Sequence, residues 1–293
     1  MNFGKEEKPI QLDSKREHIN LIYVPSKVDE NGIVTFDFKG ILNPMQSPAS
    51  KTIKYTEFQP FRSGVSVSDK SFYVINKNEF ANLKANKILT EYEKSCPSVQ
   101  QSRMMNFYQF YGYAVKAFVG NDIAPSITYM ISNLPNKVVY KNKADLQKHI
   151  KDETTQILKT CNSNTGQLFY SINSRGIASS ECFPNNVIPT DTSKCKDGSS
   201  PNSYLVGYRE GTFLASYDIV KELLIRFGPV YTGRGIILGW EQYNGKETFV
   251  VAVNNPVTDQ QTLENQQFEV SMPYGGKVLF NEANIRSNSG QDL

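Results

Sequence analysis

Histidine is scarce in this sequence, which limits the catalytic chemistry that the chain can support. Among its 293 residues there are two histidines, His18 and His149. His18 lies in a charged N-terminal stretch, and His149 lies in the lysine-rich amphipathic segment KNKADLQKHIKDE, where a solvated surface histidine is expected. Neither histidine stands in a recognisable constellation with a cysteine or with carboxylates. The residues alone therefore indicate no Cys–His or Ser–His nucleophile.

Short motifs for metal and phosphate sites are also missing. The four cysteines lack CxxC spacing, and there is no HExxH or His-x-His pattern, so a zinc site is not expected. The glycines of GRGIILG open a predicted strand rather than a helix, so they do not indicate a phosphate-binding loop. The adjacent carboxylates Asp152-Glu153 and Glu6-Glu7 lie on charged segments and are expected at the surface. No cofactor is therefore expected.

A strong net charge and long apolar runs are missing as well. The formal net charge is +3, and no track of lysine and arginine is interleaved with aromatic residues, so a nucleic-acid partner is not expected. No stretch approaches the roughly 20 apolar residues of a membrane span. The opening MNFGKEEKPIQLDSKREHIN is charged throughout, which predicts no signal peptide, and no asparagine begins a glycosylation site. These absences leave the cellular compartment open.

The sequence does contain enough apolar side chains for a substantial core, since 39% of its residues are hydrophobic and 12% are aromatic. The clearest predicted segment runs from Ile219 to Pro256. An amphipathic helix with Ser216 as its N-cap and Arg226 in its last turn is predicted to end at Gly228-Pro229. Two buried strands follow, GIILGW and ETFVVAV, and the Asn244-Gly245 turn between them predicts an antiparallel hairpin.

The rest of the chain divides into strand-like and helical stretches. Residues 1–85 carry strand signals, and INLIYV followed by IVTFDF predicts a hairpin. We interpret these residues as a β-rich extension packed on the following domain, or as a small domain of its own. Helical spacing follows in NEFANLKANKILTEYEKS and in SVQQSRMMNFYQFYGYAVKAFVG, where the second pattern ends at Gly120. Late strands, QQFEVSMPY and KVLFN, precede a polar tail at residues 286–293.

The order of the elements after Ile219 resembles a known family. A helix ending in Gly-Pro-Val, an apolar strand ending in Gly-Trp, an Asn-Gly-Lys turn and an apolar strand ending in asparagine are similar to the C-terminal half of papain-like cysteine peptidases. The resemblance implies an α+β fold over residues 86–285. In it, a helical half at 86–200 with a long central helix would pack on an antiparallel, β-barrel-like half at 201–285. The connection between Val230 and Gly235 is shorter than in the family, so part of the usual cleft wall is missing.

The resemblance also assigns positions to the nucleophile and to the glutamine that donates to the oxyanion. The glutamine matches Gln101. The family's nucleophilic cysteine lies six residues later, at the start of the central helix, and that position holds Phe107. A slip of one or two residues gives Asn106 or Met105 instead. None of these side chains can form a thiolate.

The positions of the catalytic histidine and of its orienting asparagine fall on the two strands of the predicted hairpin. The histidine position holds Gly233 or Arg234, depending on the register of the first strand. Asn254 or Asn255 stands where the orienting asparagine would be. Because a papain-type mechanism needs a thiolate beside an imidazolium, the resemblance implies a catalytically inactive member.

The redox state of the cysteines stays open on the residues alone, because four cysteines allow three pairings and all four could be reduced in a cytosol. The stretch CNSNTGQLFYSINSRGIASSECFPN, which begins at Cys161, resembles the family's segment in which a cysteine, a Gly-Ile turn and a Ser-Glu-x-Tyr-Pro sequence follow one another. On that resemblance, a workable pairing is Cys96 with Cys161 and Cys182 with Cys195. These bonds would staple the helical half.

The function implied by the resemblance is that of a pseudoprotease. Such a protein would keep the cleft as a binding, scaffold or structural module for a protein or peptide partner. Phe107, Tyr108, Phe110 and Tyr111 would then fill the former active-site region, or serve as core packing of the central helix. A structural subunit of a larger assembly is a further reading. The alternative is an active cysteine peptidase with relocated catalytic residues.

Overall fold

The structure is a computed structural model that describes residues 20–41, 48–146, 148–255, 257–267 and 274–285. Within them, twelve strands and eight helices form a mixed α+β fold with mostly antiparallel strand pairs. The strands are β1 (Asn20–Tyr23), β2 (Ile33–Asp37), β3 (Lys51–Lys54), β4 (Phe72–Tyr73), β5 (Lys137–Lys141), β6 (Glu153–Gln156), β7 (Tyr208–Ala215), β8 (Val230–Thr232), β9 (Gly235–Tyr243), β10 (Lys246–Asn255), β11 (Gln260–Gln266) and β12 (Tyr274–Asn281). The helices are α1 (Lys77–Phe80), α2 (Glu91–Lys94), α3 (Pro97–Met104), α4 (Phe107–Val119), α5 (Ile127–Ser132), α6 (Lys143–Leu146), α7 (Leu168–Arg175) and α8 (Tyr217–Phe227). His18, the predicted tail 286–293 and most of the predicted strand QQFEVSMPY lie outside the described residues.

A nine-stranded sheet supports most of the molecule. Eight of its strands follow the order β11-β10-β9-β8-β12-β7-β1-β3, and β4 pairs with β9. Among the described strands no pairing joins β11 to β3, so this order is open at both ends. β1, β3 and β4 come from the predicted N-terminal extension. Phe58 and Phe72, from the same extension, lie in one hydrophobic core with Trp240 and Phe280 of the later strands.

A smaller sheet has the order β2-β5-β6. β2 runs parallel to β5, and its buried side chains Val34 and Phe36 pack with Val138 and Tyr170 in a second core. The predicted hairpin between INLIYV and IVTFDF is therefore wrong, because β1 pairs with β3 and β7 instead of β2. The alternation of β2 is correct, but it buries a face against residues more than a hundred positions later, which a turn signal cannot reveal.

The predicted helix and hairpin after Ser216 are confirmed. α8 covers Tyr217–Phe227, and Ser216 is its N-cap residue, although its buried Oγ makes no hydrogen bond. β9 and β10 pair in antiparallel register around Asn244 and Gly245. Both turn residues have positive φ, of 51° and 73°, as a two-residue type I′ turn requires.

The helical pattern predicted in NEFANLKANKILTEYEKS breaks into α1, a short 3₁₀ turn and α2. The break has local causes. The side-chain amide of Asn86 donates to the carbonyl oxygen of Phe80 at 2.5 Å, and the same oxygen accepts from the backbone N–H of Leu83 at 3.2 Å in a short turn. Thr90 then forms a capping box with Glu93 and starts α2 as a new helix.

The second helical pattern also divides, into α3 and α4. Asn106, between them, has a φ of 60° in the left-handed region, so the chain turns there and a new helix begins at Phe107. α4 ends at Gly120 as predicted, with a φ of 82°. The expected long central helix is thus the 13-residue α4, preceded by a separate α3.

Candidate functional site

Phe107, the position matched to the nucleophile, is packed against the nine-stranded sheet. Its side chain is 5% exposed, and its ring stacks on Tyr231 of β8 with centroids 4.9 Å apart and an interplanar angle of 12°. The Nζ atom of Lys277 on β12 lies 4.9 Å from the centroid of the same ring. These contacts fix the first residue of α4 on the sheet.

A partly buried ion pair lies beside this stack. Lys277 Nζ is 2.5 Å from Glu210 Oε1 on β7. Burial raises the pKa of Glu210, and the pairing with Lys277 offsets this only in part. Burial likewise raises the pKa of Tyr111 well above its ordinary value, and the Glu210 carboxylate adds to the effect. The start of α4 is therefore surrounded by aromatic rings and one ion pair.

Gln101 and Asn254 line two neighbouring cavities. Gln101 is exposed on α3, where its Oε1 accepts from Thr165 Oγ1 at 3.4 Å, and it lines a cavity of about 540 Å³. Asn254 lies near the end of β10 and lines a cavity of about 420 Å³ together with Asn106. Gln100 and Met104 of α3 line both cavities, so the two lie side by side. We call this surface the α3 groove.

Gly233, the matched histidine position, does not line the α3 groove. It belongs to the two-residue connection between β8 and β9, and a Cβ atom added there would meet no atom within 4 Å. Tyr231, two positions before Gly233, stacks on the ring of Phe107. Gly233 itself has no side chain with which to contact Phe107.

Three exposed apolar side chains line the α3 groove. Met104 is 68% exposed and Val257 is 90% exposed, and both line the smaller cavity. Met105, also exposed, lines the larger one. Flexible methionine side chains are suited to packing against varied partner surfaces. The helical pattern of the sequence predicts a helix at both methionines, but it does not predict that their side chains are exposed.

The floor of the smaller cavity is held by Arg103, which is 1% exposed. Its Nε donates to Asp259 Oδ1 at 2.7 Å, and its Nη2 donates to the Asp259 carbonyl oxygen at 2.8 Å. Its Nη1 donates to the carbonyl oxygen of Ala85 at 3.1 Å. One side chain thus fixes α3 to the β10–β11 connection and to the segment before α2.

All four cysteines are in disulfide bonds, Cys96 with Cys161 and Cys182 with Cys195, which are the pairs that the resemblance implies. The first bond fixes a wall of the larger cavity. Beside it, the backbone N–H of Ser98 donates to the Cys161 carbonyl oxygen at 2.8 Å, and the Ser98 hydroxyl donates to the same oxygen at 2.6 Å. With all four cysteines bonded, none of them is a free thiol that could act as a nucleophile.

Other kinds of site find little support in the described part of the chain. No group of three or more His, Cys, Asp or Glu side chains is placed to hold a metal ion there. Nor does any helix within the described ranges have the length and apolar character needed to cross a membrane. His149 is exposed and lies after α6.

Comparison with known proteins adds no relative: no protein-family model and no curated protein matches this chain.

Proposed function

We propose that this chain is a non-catalytic papain-like protein, a pseudoprotease, that binds a protein or peptide partner in the α3 groove. The order of elements supports the proposal. α4 begins at Phe107, the matched nucleophile position, and Gln101 stands six residues earlier on α3. The β9–β10 hairpin follows α8 and carries Asn254 near its end.

The observation that supports the proposal is that all four cysteines are in disulfide bonds, while Phe107 occupies the start of α4. Thiolate attack requires a free cysteine near a base, and an acid must then protonate the leaving group. A phenyl ring stacked on Tyr231 supplies neither. The groove beside it has cavities of about 540 and 420 Å³, within the size range of protein ligand sites.

A peptide-display selection tests binding in the α3 groove. We expect wild-type protein to enrich a set of peptides, and we expect Met104→Lys to abolish their binding because a charge replaces an apolar contact at the rim. Leu214→Lys is the matched control, since Leu214 is 61% exposed on β7 and Met104 is 68% exposed. Peptides that bind both variants equally well, or the absence of any enriched peptide, would overturn the proposal.

The proposed lack of catalysis has its own test. Wild-type protein, with and without a mild reductant, should give no turnover of a fluorogenic peptide library. Turnover abolished by a thiol-alkylating reagent would instead establish an active cysteine peptidase with relocated residues. If the chain serves as a subunit of a larger assembly, it should co-purify with the other subunits at fixed stoichiometry.

A further inference from the structure

β11 forms one end of the nine-stranded sheet and has an unpaired side. All seven of its residues pair with β10, and no described strand pairs with its other side. About half of the backbone N–H and C=O groups of a strand point to each side, so the outer groups of β11 have no strand partner among the described residues. An edge of this kind is a template for a further strand.

The opposite end of the sheet, β3, is built differently. β3 has four residues, and it begins and ends with the exposed lysines Lys51 and Lys54. Short length and lysine side chains both discourage pairing at an edge. β11 has the sequence QQTLENQ, which contains no lysine, arginine or proline, and Glu264 is its only charged residue. β11 therefore lacks the features that protect β3.

The side chains of β11 alternate in exposure along the strand. Gln260, Thr262 and Glu264 are exposed on one face of the sheet. Leu263 projects from the other face, where it is partly buried and packs against the main hydrophobic core. A strand placed beside β11 would cover the part of Leu263 that is still exposed.

A second copy of the chain has a strand that fits this edge. Two β11 strands can pair in antiparallel register around a two-fold axis, which places one residue directly opposite its own equivalent. When that residue is Leu263, the centre of β11, all seven residues of both strands are paired. The two Leu263 side chains then lie side by side, and Glu264 of each copy lies opposite Thr262 of the other. In this register no like charges lie directly opposite each other.

We propose that two copies of this chain associate through β11, so that the nine-stranded sheet continues across a two-fold axis at Leu263. Val257 and Asp259, which line the smaller cavity of the α3 groove, immediately precede β11. Because the two β11 strands are antiparallel, the dimer carries one α3 groove near each end of the shared strand pair. The association does not depend on peptide binding, and its test needs no peptide.

Sedimentation equilibrium of the full chain across a concentration series tests the association. We expect a monomer–dimer equilibrium in which the dimer fraction rises with concentration. One strand pair is a small interface, so the series should extend to about 1 mM. A monomer at every concentration, or an assembly larger than a dimer, would overturn the proposal.

Two substitutions at Thr262 test the register. Thr262→Glu places a carboxylate opposite Glu264 at two equivalent positions, and it should raise the dissociation constant of the dimer about fivefold. Thr262→Lys places an ammonium group at the same two positions and should lower the dissociation constant by a similar factor. Both variants replace a β-branched residue by a long charged one, so a general loss of strand propensity would shift both in the same direction.

Gln260→Glu is the matched control for added charge. Gln260 is exposed on the same face of β11 as Thr262, and in this register it lies opposite the uncharged Gln266. Its substitution should therefore change the dissociation constant much less than Thr262→Glu does. Urea denaturation of each variant checks that the monomer is folded. Equal dissociation constants for Thr262→Glu and Thr262→Lys, or shifts in the same direction, would overturn the pairing through β11.

Discussion

Lys277 neutralises a largely buried carboxylate beside the start of α4. Its Nζ lies 2.5 Å from Glu210 Oε1 and 4.9 Å from the ring centroid of Phe107. Lys277→Met keeps most of the side-chain volume but leaves the Glu210 charge without a partner. We expect the free energy of unfolding at neutral pH to fall by about 3 kcal/mol, as measured by urea denaturation.

The double variant Glu210→Gln/Lys277→Met provides the control, because it removes both charges and should lose much less stability than the single variant. The defect of Lys277→Met should also shrink in acid. Burial already raises the pKa of Glu210, so this carboxyl becomes neutral earlier than an exposed one as the pH falls. A defect of the same size at neutral and acidic pH would contradict the assignment.

Most of the side-chain contacts around the groove cannot be predicted from the sequence. Arg103 occupies an ordinary position in a helical pattern, and its partner Asp259 is 156 residues away. Tyr231 lies in a short strand without any motif, yet it makes the stack that buries Phe107. The matched positions Gln101 and Asn254 do line the groove, because the helix and hairpin that carry them are locally determined.

α8 and the β9–β10 hairpin are confirmed as predicted, whereas the predicted pairing of β1 with β2 is wrong. α8 and the β9–β10 hairpin have an amphipathic period, a glycine stop and an Asn-Gly turn within a short span. β1 and β2 are strands as predicted, but each pairs with a strand far away in sequence. Hydrophobic alternation establishes that a strand has a buried face, and it does not establish which strand lies beside it.

The two disulfides should differ in what they stabilise. Cys96 and Cys161 are 65 residues apart, and Cys182 and Cys195 are 13 apart, so the chain-entropy model assigns about 4 and about 3 kcal/mol to them. Replacing either pair by alanine should lower the free energy of unfolding by these amounts in urea. Only the Cys96–Cys161 bond holds a wall of the larger cavity of the α3 groove, next to Ser98.

Peptide affinity distinguishes a disulfide that supports the α3 groove from one that contributes to stability alone. We expect Cys96→Ala/Cys161→Ala to weaken binding of groove-selected peptides under conditions in which the variant is still folded. The Cys182→Ala/Cys195→Ala variant serves as the control and should bind them as wild type does. Equal affinity of both variants would mean that the Cys96–Cys161 bond contributes to stability alone.

In the described part of the molecule, polar contacts as well as the hydrophobic core join segments that are distant in sequence. Glu241 on β9 makes the clearest set of such contacts. Lys77 Nζ donates to Glu241 Oε1 at 2.8 Å, Asn265 Nδ2 donates to the same oxygen at 2.7 Å, and the Tyr73 hydroxyl donates to Oε2. The carboxylate thus joins the segment around β4 and α1 to β9 and β11. Burial by itself would raise the pKa of Glu241, but these hydrogen bonds outweigh it and lower the pKa to about 2.

A carboxyl group whose pKa is lowered on folding stabilises the protein above its ordinary pKa, and that contribution is lost as the pH falls through the folded value. For Glu241 we expect this contribution to stability to be lost as the pH falls from about 4.5 to about 2. Glu241→Gln should therefore be less stable than wild type at neutral pH, and the difference should narrow across this acid range in urea titrations. Glu91→Gln, at an exposed residue paired only with Lys94, should change stability little at any pH. A constant difference between Glu241→Gln and wild type down to pH 2 would show that the Glu241 carboxylate does not link these segments through its charge.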